Sequence, residues 1–212
     1  MRGAEPRLGI LVSGRGSNLE AILRAHAAGR LGAVPVLVVS DNPAAPALEK
    51  ASRFGVPTAV VVRRDCSGAR EFEEALVAAL RGAGVELVAL AGFMRLLGPA
   101  FLSAFPGRVL NIHPSLLPSF PGLHAQRQAL AYGVRVSGCT VHLVDEEMDH
   151  GPILLQAAVP VLPDDTEETL AARILAEEHR LYPEAIRLVA EGRVRVEGRR
   201  ALILEESAMG EE

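Results

Sequence analysis

Asn111 and His113 stand two residues apart in the run Asn111-Ile112-His113-Pro114-Ser115-Leu116-Leu117-Pro118. On an extended backbone such a pair points to one side. An amide beside an imidazole suits acyl chemistry, because the amide N–H can hold a developing oxyanion and the ring can move a proton. The same pair also fits a capping Asn and a structural His at a strand end, and spacing alone leaves both readings open. The acidic stretch Asp145-Glu146-Glu147-Met148-Asp149-His150-Gly151-Pro152 adds a third group. A carboxylate near an imidazole favours the protonated ring, so Asp149 would prime His113 as a proton donor. As a charge cluster alone, the stretch also reads as a solvated turn.

A second candidate is the turn Ser13-Gly14-Arg15-Gly16-Ser17-Asn18. Gly14 and Gly16 let the backbone bend and approach a ligand closely. Amides at a helix start, with the helix dipole, favour an anion, and Ser17 and Asn18 add side-chain donors. No Gly-Lys-Ser/Thr follows, and Leu19 occupies the place of the third glycine of GxGxxG. A phosphomonoester therefore fits better than a dinucleotide, against the alternative of a plain tight turn with a Ser/Asn cap. Among the other histidines, His26, His124, His142 and His179 lack metal-ligand spacing. His142 reads as a satisfied structural residue, or else as a polar residue facing the site, and His150 as pointing to solvent, or else as perturbing the local pKa balance. Cys66 and Cys139 form no CxxC, so neither a disulfide framework nor a zinc site is expected.

The elements that must position these residues follow from hydrophobic patterning. Short apolar runs predict strands over Leu8–Ser13, Val34–Val39, Thr58–Val62, Glu86–Ala91, Val109–Ile112, Gly138–Val144 and Ile153–Val161. Gly138–Val144 alternates like a half-buried strand. Amphipathic spacing predicts helices from Ser17 to about Ala28 and over Ala47–Phe54, Glu71–Arg81, Leu123–Tyr132 and Thr166–Glu191, the last capped by Thr166. Val194–Val196 and Ala201–Leu204 flank a closing hairpin, and the final ESAMGEE is expected to be loose. Alternating strands and helices imply an α/β fold: a Rossmann-like, mostly parallel sheet flanked by helices, with antiparallel additions in the C-terminal half. In such sheets ligands collect at the carboxyl ends of the strands.

Composition narrows the function classes. Of 212 residues 49% are apolar, enough for a substantial core. Aromatics are only 4%, with no Trp, and the formal net charge is −4, with Lys50 the only lysine. Stacking platforms and broad basic surfaces for nucleic acid are thus not expected. No run approaches the ~18 apolar residues of a membrane span, and the opening MRGAEPR is unlike a signal peptide. A cytoplasmic protein without nucleic-acid or membrane partners is expected.

Taken in order, the motif from Asn111 to Pro118, then Pro121-Gly122, Gly138 to His142, and Asp149-His150-Gly151-Pro152 resemble the formyltransferase family that uses 10-formyltetrahydrofolate. Ser13 to Asn18 and Ala91-Gly92-Phe93-Met94-Arg95 narrow the resemblance to members that formylate glycinamide ribonucleotide in purine synthesis. It spans Leu8 to about Tyr182. The resemblance implies that His113 is the proton donor, that Asn111 steadies the formyl oxygen, and that Asp149 raises the histidine's pKa, with no metal. It implies a single domain over 1–212, with a nucleotide-binding half over about 8–100 and a folate-binding, catalytic half over about 101–204. Gly16, Ser17 and Asn18 would bind the ribonucleotide phosphate and Glu178 the ribose hydroxyls. Met94, Arg95, Leu96 and Leu97 would line the folate pocket together with Asn111. Asp145, Glu146, Glu147, Met148 and Asp149 would close over the pterin. Arg95 and Arg70 would meet the folate glutamate carboxylates. The small-molecule partners would be glycinamide ribonucleotide and formyl folate, taken up by a monomer or homodimer.

Two rivals stand beside this. Other formyl-folate enzymes act on methionyl-tRNA or an amino sugar or release formate; the tRNA and formate-releasing enzymes carry extra domains. A non-catalytic nucleotide-binding module would need only the glycine turn.

Overall fold

The computed structural model describes residues 4–205, so the expectation for ESAMGEE at 206–212 lies outside the described residues. β1 (Arg7–Val12) is buried at every position after Arg7 and leads through the glycine turn into α1 (Ser17–Ala27). β2 (Val34–Ser40), α2 (Pro46–Arg53), β3 (Thr58–Val60), α3 (Ala69–Gly82) and β4 (Leu87–Leu90) complete the first half. α4 (Pro99–Leu102), β5 (Val109–His113), α5 (Ala125–Tyr132), β6 (Val136–Leu143), β7 (Ile153–Pro160), α6 (Glu167–Ala190) and the hairpin β8 (Val194–Glu197) and β9 (Arg200–Ile203) follow.

All nine strands join one sheet in the order β3-β2-β1-β4-β5-β6-β7-β9-β8. β3 to β5 are parallel, whereas β6 runs antiparallel to β5, and β7 antiparallel to β6. The order reverses direction at β1, between β2 and β4, so the carboxyl ends of β1, β4 and β5 open on the same edge of the sheet. That is where a doubly wound sheet binds ligands.

Two apolar layers enclose the sheet. Leu19, Ile22 and Leu23 of α1, Ala47 and Ala51 of α2, and Leu170, Ile174 and Ile186 of α6 fill one face. Phe72, Leu76 and Leu80 of α3 with Phe101 of α4 fill the other. Tyr182 of α6 is fully buried, and its hydroxyl lies 2.9 Å from the Leu90 carbonyl and 3.0 Å from that of Leu110. This phenol therefore keys α6 to the end of β4 and the start of β5. Thr166 caps α6 as expected, in a reciprocal pair with Thr169.

Several boundaries differ from the sequence expectations for local reasons. β3 stops at Val60 because Arg63–Asp65 turn as a short 3-10 helix. α5 begins at Ala125, since His124 holds a left-handed φ of 59°. α3 starts earlier, at Ala69, where Glu71 accepts the Ser67 amide at 2.6 Å. β6 begins at Val136 and is buried from Ser137 onward rather than on alternate residues, because β5 and β7 flank it and α6 packs against it. α4 was not expected; Glu73 caps it by accepting from the amides of Gly98 and Phe101. Cys139, on β6, is fully buried, and burial pushes its thiol up to about 12, while Cys66 is half-buried; both are free. Among the described residues no helix is long and apolar enough to cross a membrane.

Candidate active site

The glycine turn links β1 to α1. Gly16 sits at φ 69°, and a Cβ there would stand 2.7 Å from the Ala47 Cβ, so both conformation and close packing of α2 require glycine. Ser13 ties the turn to the next strand end, its hydroxyl accepting from the Met94 amide at 2.9 Å. Asn18 is buried and donates through Nδ2 to Glu178 Oε2 at 2.7 Å, joining α1 to α6 across 160 residues. Glu178 is thus a buried carboxyl rather than an ordinary exposed helix charge, and burial raises its pKa against the opposing effect of the Asn18 bond. Among the described residues, Asn18 Oδ1 and His179 Nε2 are buried without a protein partner. A cavity of about 790 Å³ between α1 and α6 is lined in part by Ser17, Lys50 and His179. Lys50 reaches this corner with Nζ 2.8 Å from Glu20 and 3.5 Å from the Gly16 carbonyl. Its being the sole lysine of the chain was the only sequence signal for it.

At the end of β5 the structure gathers Asn111, His113, His142 and Asp149. The β5–β6 register sets Asn111 opposite His142, with Asn111 Nδ2 3.2 Å from His142 Nε2. His142 Nδ1 lies 2.8 Å from the Leu143 carbonyl, an acceptor only, so that nitrogen carries the proton and Nε2 accepts from the amide. Burial holds the His142 pKa below its ordinary value, with the Leu143 carbonyl and Asp149 opposing. His142 thus combines the two roles open to it in the sequence: its ring is partnered on both nitrogens, and it faces the site, orienting Asn111 and leaving the second Nδ2 proton available.

His113 is buried, with Nδ1 3.3 Å from Asp149 Oδ2 and Nε2 2.8 Å from the Phe120 carbonyl. The Phe120 carbonyl can only accept, so Nε2 donates to it, and Nδ1 faces the carboxylate. Asp149 also accepts the Gly122 amide at 2.7 Å and places Oδ1 3.8 Å from His142 Nε2. Its own φ is 52°, a left-handed value unusual for a side-chain-bearing residue. The 113–122 and 145–151 loops are thus joined through one carboxylate. Thr140, which sequence reasoning missed, sits under the first loop: it donates to the Ser115 carbonyl at 2.7 Å and accepts from the Leu117 amide at 3.0 Å.

The remaining expected residues separate. Met94 and Leu96 are exposed, whereas Leu97 is buried in the apolar layer shared with α3 and α4. Arg95 pairs with the buried Asp41 at 2.8 Å and lines a cavity of about 470 Å³ with Arg63 and Arg64. Arg70 pairs with Glu74 on the exposed face of α3 and lines a different recess, with Glu73, Pro99 and Ala100. Asp145, Glu146, Glu147 and Met148 all lie in the loop before Asp149, Glu146 to Met148 exposed. His150 does not simply point to solvent, since its Nδ1 is 2.8 Å from Asp145 Oδ2.

The formyl transferase family model matches residues 6–186. The fold superposes on glycinamide ribonucleotide transformylase 1 from Symbiobacterium toebii with a TM-score of 0.95 and 55% identity, covering 96% of each chain. The chain is 41% identical to phosphoribosylglycinamide formyltransferase from Escherichia coli (strain K12), covering 88% of each. It is 45% identical to the trifunctional purine biosynthetic protein adenosine-3 of Drosophila melanogaster over 88% of its own length, but spans only 14% of that protein.

Proposed function

We propose, from the premise that the chain belongs to the formyl transferase family, that it transfers the formyl group of 10-formyltetrahydrofolate to the amine of glycinamide ribonucleotide, giving formylglycinamide ribonucleotide and tetrahydrofolate in purine biosynthesis. The observation that carries the reading is the linked set Asn111–His142–Asp149–His113 at the strand-end edge of the sheet. The relatives named for this reaction support the choice of substrates.

In this reading the ribonucleotide phosphate rests on the amides at the start of α1, at Gly16 and Ser17, with Lys50 supplying a nearby positive charge. Asn18 and Glu178 present the ribose side of the site. The folate enters against Met94, Leu96 and the 145–149 loop, with Leu97 packed behind them, and Arg95 offers its guanidinium to the folate carboxylates, while Arg70 stands in a separate recess. The amine nitrogen attacks the formyl carbon, and the carbonyl oxygen gains negative charge. The free Nδ2 proton of Asn111 and the His113 ring receive that charge. The C–N10 bond of the folate then breaks, N10 takes up a proton supplied through His113, and the attacking amine gives one up. Asp149, 3.3 Å from the ring, offsets the positive charge of His113 until that proton is passed on. Before it serves the substrate, the His113 Nε2 proton must leave the Phe120 carbonyl, so movement of the 113–122 loop belongs to the cycle.

A formyl-transfer assay with 10-formyl-5,8-dideazafolate and glycinamide ribonucleotide tests the reading beside His113→Ala. Transfer that requires the ribonucleotide and collapses in the variant supports it. Formate release without the ribonucleotide would replace it with hydrolysis, and no folate turnover by folded protein would replace it with a binding module.

A further inference from the structure

The β8–β9 hairpin contributes no residue to the chemistry described above, and its seam with the sheet is slender: one registered pair, Ile153 with Arg200. Its turn nevertheless reaches back over the loop that carries Asp149. Arg199 Nη2 donates to the His150 carbonyl at 2.6 Å, and Nη1 meets the His150 ring, 3.0 Å from Nδ1 and closer still to Nε2. On its other side His150 Nδ1 lies 2.8 Å from Asp145 Oδ2, and Asp145 Oδ1 accepts the Glu147 amide at 3.0 Å. The carboxylate only accepts, so Nδ1 donates to it, and Nε2 is left as an acceptor facing the guanidinium. Asp145, His150 and Arg199 therefore form a chain of bonds that straps the loop to the hairpin.

The strap lies next to a backbone that needs holding. Asp149 keeps its left-handed φ of 52° without the freedom of glycine. Gly151, two residues on, has no room for a Cβ, which would overlap the Leu143 carbonyl. The chain is fixed beyond Gly151 by the bond from the Leu143 amide to the Pro152 carbonyl at 2.9 Å. Between these points the His150 carbonyl is the main-chain group that Arg199 grips. Without that grip Asp149 is free to relax toward an ordinary φ, and its carboxylate to turn away from His113.

We infer that Arg199 is a positioning residue for the transfer reaction, acting through the His150 main chain to aim the Asp149 carboxylate at His113. The inference rests on the formyl-transfer reading above, and the test separates the two. Arg199→Met is expected to lower kcat roughly tenfold, as for loss of a charge-assisted bond, with KM for glycinamide ribonucleotide unchanged. Amide hydrogen exchange across 145–151 should rise in the same variant. Arg199→Lys, which retains one donor for the carbonyl, should recover part of kcat, and His150→Ala, which keeps the carbonyl, should lose less than Arg199→Met. Normal kcat in Arg199→Met, whether or not its melting temperature falls, would overturn the inference while the transferase reading stands. If the unaltered protein transfers no formyl group, that reading fails, and unchanged exchange at 145–151 in Arg199→Met would then overturn the strap independently.

Discussion

Asn111 and His142 face each other across the β5–β6 pair, the amide Nδ2 3.2 Å from a ring nitrogen that burial keeps ready to accept. The histidine thereby decides which way the amide points. Its lowered pKa also sets a pH window. The native protein resists this proton, so the His142 contribution to stability is present above the ordinary value of 6.5 and is lost as pH falls through it toward the folded value. NMR titration is expected to find the His142 ring, with its proton on Nδ1, titrating below pH 6.5. His142→Phe should lower kcat by roughly tenfold or more, since the amide loses its acceptor. A ring that titrates at or above 6.5 would refute the arrangement.

His113→Ala is expected to reduce kcat by about 10²–10⁴-fold, the span typical of a removed general acid, with ribonucleotide KM little changed. The check is steady-state kinetics in both substrates. A loss confined to KM would make His113 a binding residue only.

Asp149→Asn should do more than remove charge. Oδ2 accepts the Gly122 amide and stands 3.3 Å from His113 Nδ1, and a neutral amide in its place weakens the bond to Gly122 as well as the pairing with the ring. Expected outcomes are a fall in kcat of roughly tenfold or more and faster amide exchange around Gly122. Unchanged exchange there would show that the two loops are not held together by this side chain.

Glu178 carries a raised pKa through burial. The folded chain binds its proton more tightly than the unfolded chain, so the stability it contributes is fully present below the unfolded value and is lost as pH rises through the folded one. Glu178→Gln retains an acceptor for Asn18 and should melt higher than the parent at pH 8, with little difference at pH 4. Its KM for the ribonucleotide should rise roughly tenfold if the carboxylate meets the ribose hydroxyls. Melting curves over pH and the KM measurement separate the two effects.

Gly16→Ala is expected to destabilise by about 1–3 kcal/mol, combining the cost of φ 69° with the clash against Ala47. Denaturant midpoints measure it. A neutral effect would mean that α2 can retreat from the turn.

The frame was legible in the sequence because strands buried on both faces read as continuous apolar runs and the glycines punctuate them. The mostly parallel sheet followed from that pattern, with β1 and β5 ending one residue from expectation, whereas the strand order did not. Asn111 and His113 stood out for a local reason, their spacing of two, but that spacing also fitted a capping Asn and a structural His, and the family resemblance was needed to choose. The sequence left His142 between two roles because its part lies in register: nothing near it in sequence tells that it stands opposite Asn111. Glu178 was invisible without the family resemblance for the same reason, since its partner Asn18 is 160 positions away. The strap at Arg199 depends on where a hairpin turn happens to lie over a loop 49 residues earlier, which no local pattern encodes.

The sealed sulfur on β6 gives the molecule a built-in reporter. Thiolates, not thiols, react with maleimides, and Cys139 is both buried and pushed to about 12. Native protein therefore offers one reactive thiol, Cys66, in the segment just after Arg63 and Arg64, and unfolded protein offers two. A mass shift of one label or two then counts folded molecules directly, without dye, substrate or assay.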